Sequence, residues 1–150
     1  MDESQVLAGF RAKFRVDELL VSSTPAWSWS VRPGQATLGA GVLSLNRHAA
    51  SLSDVSGAEM AELAALVGTL EKAVRSVFAY DIINYLMLMM VDHQVHFHVI
   101  PRYQGARQFA GLEWLDSGWP TVPALSVSQH ADQEDILPRI RQALASACVS

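Results

Sequence analysis

Gln94-Val95-His96-Phe97-His98-Val99-Ile100-Pro101-Arg102 is the stretch on which the reading of this chain turns. Extended backbone sends successive side chains to opposite faces. As a strand over 94–100, stopped by Pro101, the segment puts Val95, Phe97 and Val99 on a core face. Gln94, His96 and His98 share the other face, with successive side chains about 7 Å apart. A sheet face of imidazoles and an amide is costly unless it meets water or a ligand. His93 has the wrong parity and is expected in the turn or with the valines.

Outward from that strand, the apolar run Ile82–Met90 predicts a preceding strand, with Met87, Met89 and Met90 in the sheet core. Before it, Ser56 and Glu59 have the spacing of a capping box. Met60, Leu63, Leu66, Val67, Leu70, Val74 and Val77 then recur every three or four residues, which predicts a helix ending near Phe78 with one buried stripe. Ala40–Leu45, Ala26–Arg32 and Asp17–Ser23 read as strands. Trp27 and Trp29 lie on one face of the second of these and are assigned to the core. Residues 5–15 predict a short amphipathic helix with Val6, Phe10 and Phe14 on one side. Residues 104–126 hold Gly and Pro without periodicity and predict a long loop, pinned by Trp114 and Trp119. A last helix is expected from Asp132 to Ala147, with Ile136, Ile140 and Leu144 inward and Pro138 near its start.

Composition narrows the classes. The 150 residues are half apolar and 17% charged, with a net charge of −4. That excludes a disordered chain and argues against a general binder of polymeric nucleic acid. The single cysteine, Cys148, excludes a disulfide scaffold and a four-cysteine zinc module. The acidic N-terminus is unlike a signal peptide, and no apolar run approaches the ~20 residues of a membrane span. The expectation is a cytoplasmic protein without a membrane partner.

The segment Gln94–Arg102 resembles the signature of the histidine triad (HIT) superfamily, His-φ-His-φ-His-φ-φ with φ apolar, often continued by Pro-Arg. The order around it is also the family's: apolar strand, Asn46-Arg47-His48, Ser51-Leu-Ser-Asp54, long helix, strand, histidine strand. The resemblance spans about residues 16–103. It implies an α+β fold, an antiparallel sheet of about five strands with the long helix across it. Residues 1–150 would form one domain, with a loop-rich extension over 104–150. It also implies a homodimer, and a nucleotide phosphohydrolase or nucleotidyl transferase. The substrate would be a nucleotide conjugate or dinucleoside polyphosphate, with no cofactor and no metal in the covalent step.

On the same resemblance His96, the middle position, attacks the α-phosphorus and forms a nucleotidyl-histidine intermediate. An imidazole is largely neutral near pH 7, so one ring nitrogen is free to attack. His98 is assigned as a second catalytic group that binds and orients phosphate. Gln94, His98 and Arg102 are assigned to substrate, although Arg102 has a structural ion pair as its equal alternative.

The chain departs from the family at three places. Gln94 stands where the first histidine would be and cannot carry a proton. The Gly-Gln-Ser/Thr segment before the histidine strand is missing, since Met90-Val91-Asp92 leads straight into the motif. A further family histidine is replaced by Gly41, and His48 matches a position that is not usually catalytic. Each lost donor costs about 10²- to 10³-fold in rate. Replacements are sought in Arg102, Arg32, Arg47 or residues 104–119. The departures favour an alternative, a nucleotide-binding protein with weak or no turnover. A lesser alternative is a metal-binding strand, with His48, His130 or an acid as third ligand.

Overall fold

The capping box forms. Ser56 Oγ accepts from the Glu59 N–H (3.1 Å), and the Glu59 carboxylate accepts from the Ser56 N–H (2.9 Å). Helix α2 runs from there over Gly57–Phe78 and stops where Ala79 turns left-handed, with φ 52°. The structure, a computed structural model, describes residues 2–148. Helix α1 spans Glu3–Lys13 and α3 spans Ile136–Cys148.

The strands are β1 (Leu20–Ser23), β2 (Trp27–Val31), β3 (Gly41–Leu45), β4 (Ile82–Leu86) and β5 (His96–Arg102). They form one antiparallel sheet in the order β1-β2-β3-β5-β4. The α+β architecture with the long helix across a five-stranded sheet is therefore the one expected. On one face, Trp27, Trp29, Leu43 and Val99 pack with Leu70 of α2 and Ile140 of α3 into a single core. Helix α3 packs on α2, β1 and β2, with Ile136, Ile140 and Leu144 buried as predicted.

Several boundaries differ from the sequence expectation. The strand after α2 ends at Leu86, so Met89 and Met90 leave the sheet: Met90 is 80% exposed, and Met89 has φ 54°. Met60 is also exposed, because the buried stripe begins at Leu63. Pro101 lies inside β5, opposite Ile83 of β4. Its carbonyl accepts from Thr37 Oγ1 on the side away from β4, past the point where β3 starts opposite Val99. No ladder bond is lost there, so proline is tolerated. The expected loop 104–126 contains a hairpin, β6 (Arg107–Phe109) with β7 (Leu112–Trp114).

Candidate active site

Strand β5 alternates as its sequence predicts. Val95 and Val99 are fully buried in the core, and Phe97 is partly buried against it. His96 lies opposite Ser44, and His98 lies between Val42 and Leu86. Cross-strand partners share a face, so the histidines, Ser44, Val42 and Ser30 of β2 make up the other side of the sheet.

Helix α1 covers that side. Asp2 and Gln5 cap it reciprocally, and Phe10 and Phe14, four residues apart, project from one helix face. The Phe10 ring centre lies 4.9 Å from that of His96, and the Phe14 ring lies 5.9 Å from His96 and 5.8 Å from His98. The imidazoles meet edge to face at 5.0 Å. Under this cover His96 is 2% exposed and His98 8%. A cavity of about 260 Å³ remains beside the rings, lined by both histidines, Phe14, Lys13, Arg32 and Asp92 among others. Lys13 Nζ pairs with Asp92 at 2.8 Å and ties α1 to the segment before β5.

The two rings hold defined tautomers. Nδ1 of His96 lies 2.5 Å from the backbone carbonyl of Gln94. A carbonyl only accepts, so Nδ1 carries the proton and Nε2 the lone pair. Burial pushes the His96 pKa down, which keeps the ring neutral. Nδ1 of His98 instead accepts from Arg32 Nε (3.1 Å), which puts its proton on Nε2. Burial first, and then the Arg32 charge, lower the His98 pKa to about 4. One ring thus offers a nucleophilic nitrogen and its neighbour an N–H donor. On the same face the hydroxyls of Ser30 and Ser44 are buried without a hydrogen-bond partner among the described residues.

Two of the residues assigned to substrate are held elsewhere. Gln94 is fully buried, and its amide donates to the carbonyls of Leu45 (3.0 Å) and Arg47 (2.7 Å). Its Oε1 accepts from His48 Nδ1 (2.9 Å) and the Ala49 N–H (3.3 Å). Both amide protons are spent, so Gln94 ties the exit of β3 to the histidine strand and has none left for a phosphate. Arg102 is buried in an ion pair with Asp116 (2.7 Å) and donates to Asn84 Oδ1 (2.8 Å). Of its two readings, the ion pair is the one observed.

The sought replacements narrow in the same way. Arg47 pairs with Glu59 at the start of α2, whereas Arg32 lines the cavity. His93 is exposed in the turn before β5, beside α1 and outside the cavity of His96 and His98. Gly41 faces the core: a Cβ there would meet Trp29 Nε1 at 3.0 Å and the Ser30 carbonyl at 3.1 Å. A histidine at 41 has no room and could not face the site. Among the described residues no group of three or more His, Cys, Asp or Glu side chains is placed to hold a metal ion. Sequence reasoning missed Phe10, Phe14, Lys13 and Asp92. The Phe10–Phe14 spacing marked a buried helix face, but nothing local said what it would cover.

Residues 42–105 match the family model for the HIT domain. No curated protein resembles the chain closely enough to count as a match. Among solved structures, a hypothetical histidine triad nucleotide-binding protein of Sulfolobus tokodaii strain7 is 13% identical, with a TM-score of 0.69 over 97% of this chain and 91% of its own. A histidine triad protein of Bradyrhizobium japonicum is 19% identical, with a TM-score of 0.60 over 87% and 94%. A uridylyltransferase is 16% identical, with a TM-score of 0.58 over 98% of this chain and 49% of its own. The family-model match over residues 42–105, with the histidine motif on β5, and the fold shared with these structures make the chain similar to HIT-domain proteins.

Proposed function

We propose that this chain is a nucleotide phosphohydrolase or nucleotidyl transferase in which His96 is the nucleophile. The observation that carries the reading is the bond from His96 Nδ1 to the Gln94 carbonyl, which leaves Nε2 unprotonated in a cavity wall. Nε2 donates its lone pair to the α-phosphorus of a nucleotide conjugate or dinucleoside polyphosphate. The bond from phosphorus to the leaving oxygen or nitrogen breaks, and the leaving group takes that electron pair and a proton from water. Water then attacks the nucleotidyl-histidine, which returns the lone pair to Nε2 and releases the nucleotide. His98 Nε2–H donates to the phosphoryl oxygens on which charge grows.

A second reading is a nucleotide-binding protein with little turnover. It is favoured by Gln94, which has no proton to give and is fully engaged in structure. The proposed assembly is a homodimer in the cytoplasm. The edge position of β4 and its exposed Ile82 are compatible with pairing to a second copy.

Incubation with a nucleoside phosphoramidate and with a dinucleoside polyphosphate, followed by mass analysis of quenched protein, tests the reading. The expected result is a nucleotidyl adduct on His96 and release of nucleotide. Tight nucleotide binding with neither adduct nor product would establish the binding-only reading instead.

A further inference from the structure

The charged side chains of this protein are mostly neutralised by one another. Arg11, Arg15, Arg47, Arg102, Arg107 and Arg139 each reach a carboxylate, and Lys13 reaches Asp92. Arg32 does not. Its guanidinium is half-buried at the end of β2, and its partners are all uncharged. Nε–H donates to His98 Nδ1 (3.1 Å), Nη1 to the Gly34 carbonyl (2.7 Å) and Nη2 to the Leu125 carbonyl (3.5 Å). A cation withdrawn from water is stable only with compensation. Carbonyl and ring dipoles supply hydrogen bonds but no opposite charge. Asp92, the carboxylate on the same cavity, is already engaged by Lys13.

Geometry says where the missing charge belongs. Arg32 lines the cavity beside His96 and His98, and a guanidinium fork suits phosphate oxygens. The Gln94 amide and the Arg102 guanidinium are committed elsewhere. Resting on the nucleotide reading above, we propose that Arg32 holds the phosphoryl anion of the substrate and, through Nε on His98, fixes that ring with its proton on Nε2. Arg32 then does two things at once. It supplies the positive charge of the site, and it is the positioning residue that aims the His98 donor at the same oxygens.

Inorganic pyrophosphate is the probe, because it presents the anion without a base or sugar. Titration of the whole chain should show saturable binding. Arg32→Gln, which keeps an amide donor for the Gly34 carbonyl, should weaken it at least about tenfold, the loss expected for one charge-assisted contact. Arg32→Lys should stay within about threefold of the parent. Both variants are melted alongside the parent, and should Arg32→Gln fail to fold, Arg32→Met takes its place with the same expected loss. The ¹⁵N spectrum of labelled parent, with His98 assigned by its disappearance in His98→Asn, should show an unprotonated Nδ1 and a protonated Nε2. No binding by the parent, equal binding by the neutral variant, or a protonated His98 Nδ1 each overturns the proposal. Pyrophosphate binding that is lost in Arg32→Gln, in a parent that forms no nucleotide adduct, leaves Arg32 standing and sinks the reading of His96 as nucleophile. An adduct whose formation and pyrophosphate competition ignore Arg32→Gln does the reverse.

Discussion

The two faces of the central sheet are built to different standards. On the core face, Trp27, Trp29, Leu43 and Val99 are buried against α2 and α3, and the one polar atom of Trp27 is matched, Nε1 donating to the Glu59 carbonyl (2.8 Å). On the histidine face a single short helix lies over two imidazoles, and two serine hydroxyls have no partner among the described residues. An unpaired buried hydroxyl costs about 1–3 kcal/mol. The well-matched face stabilises the domain enough for the other to carry polar groups that folding alone would not select. A residue's face, more than its burial, therefore decides what its substitution does.

Six substitutions and one titration test this contrast. His96→Ala should lower turnover of a nucleoside phosphoramidate by about 10³-fold or more while a thermal melt still shows cooperative unfolding. Unchanged turnover would mean that the polar face is not the reacting one. Leu70→Ala, on the core side of α2 and fully buried, should cost about 2–5 kcal/mol in urea unfolding. A smaller loss than at any site on the histidine face would reverse the comparison.

Gln94→Ala should cost about 2–3 kcal/mol, because the Leu45 and Arg47 carbonyls lose their donors. Gln94→His should give no rate gain with poor leaving groups, since position 94 addresses residues 45–49 and not the cavity. A gain there would place the side chain back among the site's proton carriers.

Acid should act through the histidine face. The folded His98 pKa of about 4 lies below the ordinary 6.5. The unfolded chain therefore takes up a proton in this window while the folded one does not, and stability falls as pH drops from 6.5 to 4. The loss is up to about 3 kcal/mol for this one ring. Lys13, Asp92, Arg32 and His96 all act on it, and His96 shifts in the same direction. His98→Asn should reduce the slope of unfolding free energy against pH without removing it. Ser44→Ala, the mildest change, should be neutral or stabilising by about 1 kcal/mol, because it deletes a hydroxyl that has no partner. A destabilisation would mean that the hydroxyl is paired in solution.

What was legible in the sequence was local. Alternation along β5 fixes the face of His96 and His98 whatever surrounds them, and the Ser56–Glu59 box fixes where α2 begins. The partners of Gln94 and Arg102 were not legible, because parity and proximity to the motif say nothing about distant contacts. The Gln94 amide is claimed by the chain leaving β3, and the Arg102 guanidinium by Asp116, in a segment with no periodicity to mark it. The role of α1 was hidden for the same reason: Phe10 and Phe14 announce an apolar helix face, and only the tertiary fold sets it on histidines. Met87–Met90 read as strand because apolar runs do not show where pairing stops, and pairing of β4 stops at Leu86, opposite His98.

The tryptophans give the two-sided sheet an optical consequence. Trp27, Trp29 and Trp114 are at most 1% exposed, and all three belong to the core shared with α2 and α3. Their emission is set by that dry interior and shifts to the red when it opens to water. The cavity beside His96 and His98 has no indole in its wall. The emission of these three thus follows unfolding, over a constant contribution from the partly exposed Trp119, and is nearly blind to a ligand arriving at the histidines, so saturation of the site has to be followed by heat, by a labelled nucleotide or by the imidazole resonances themselves.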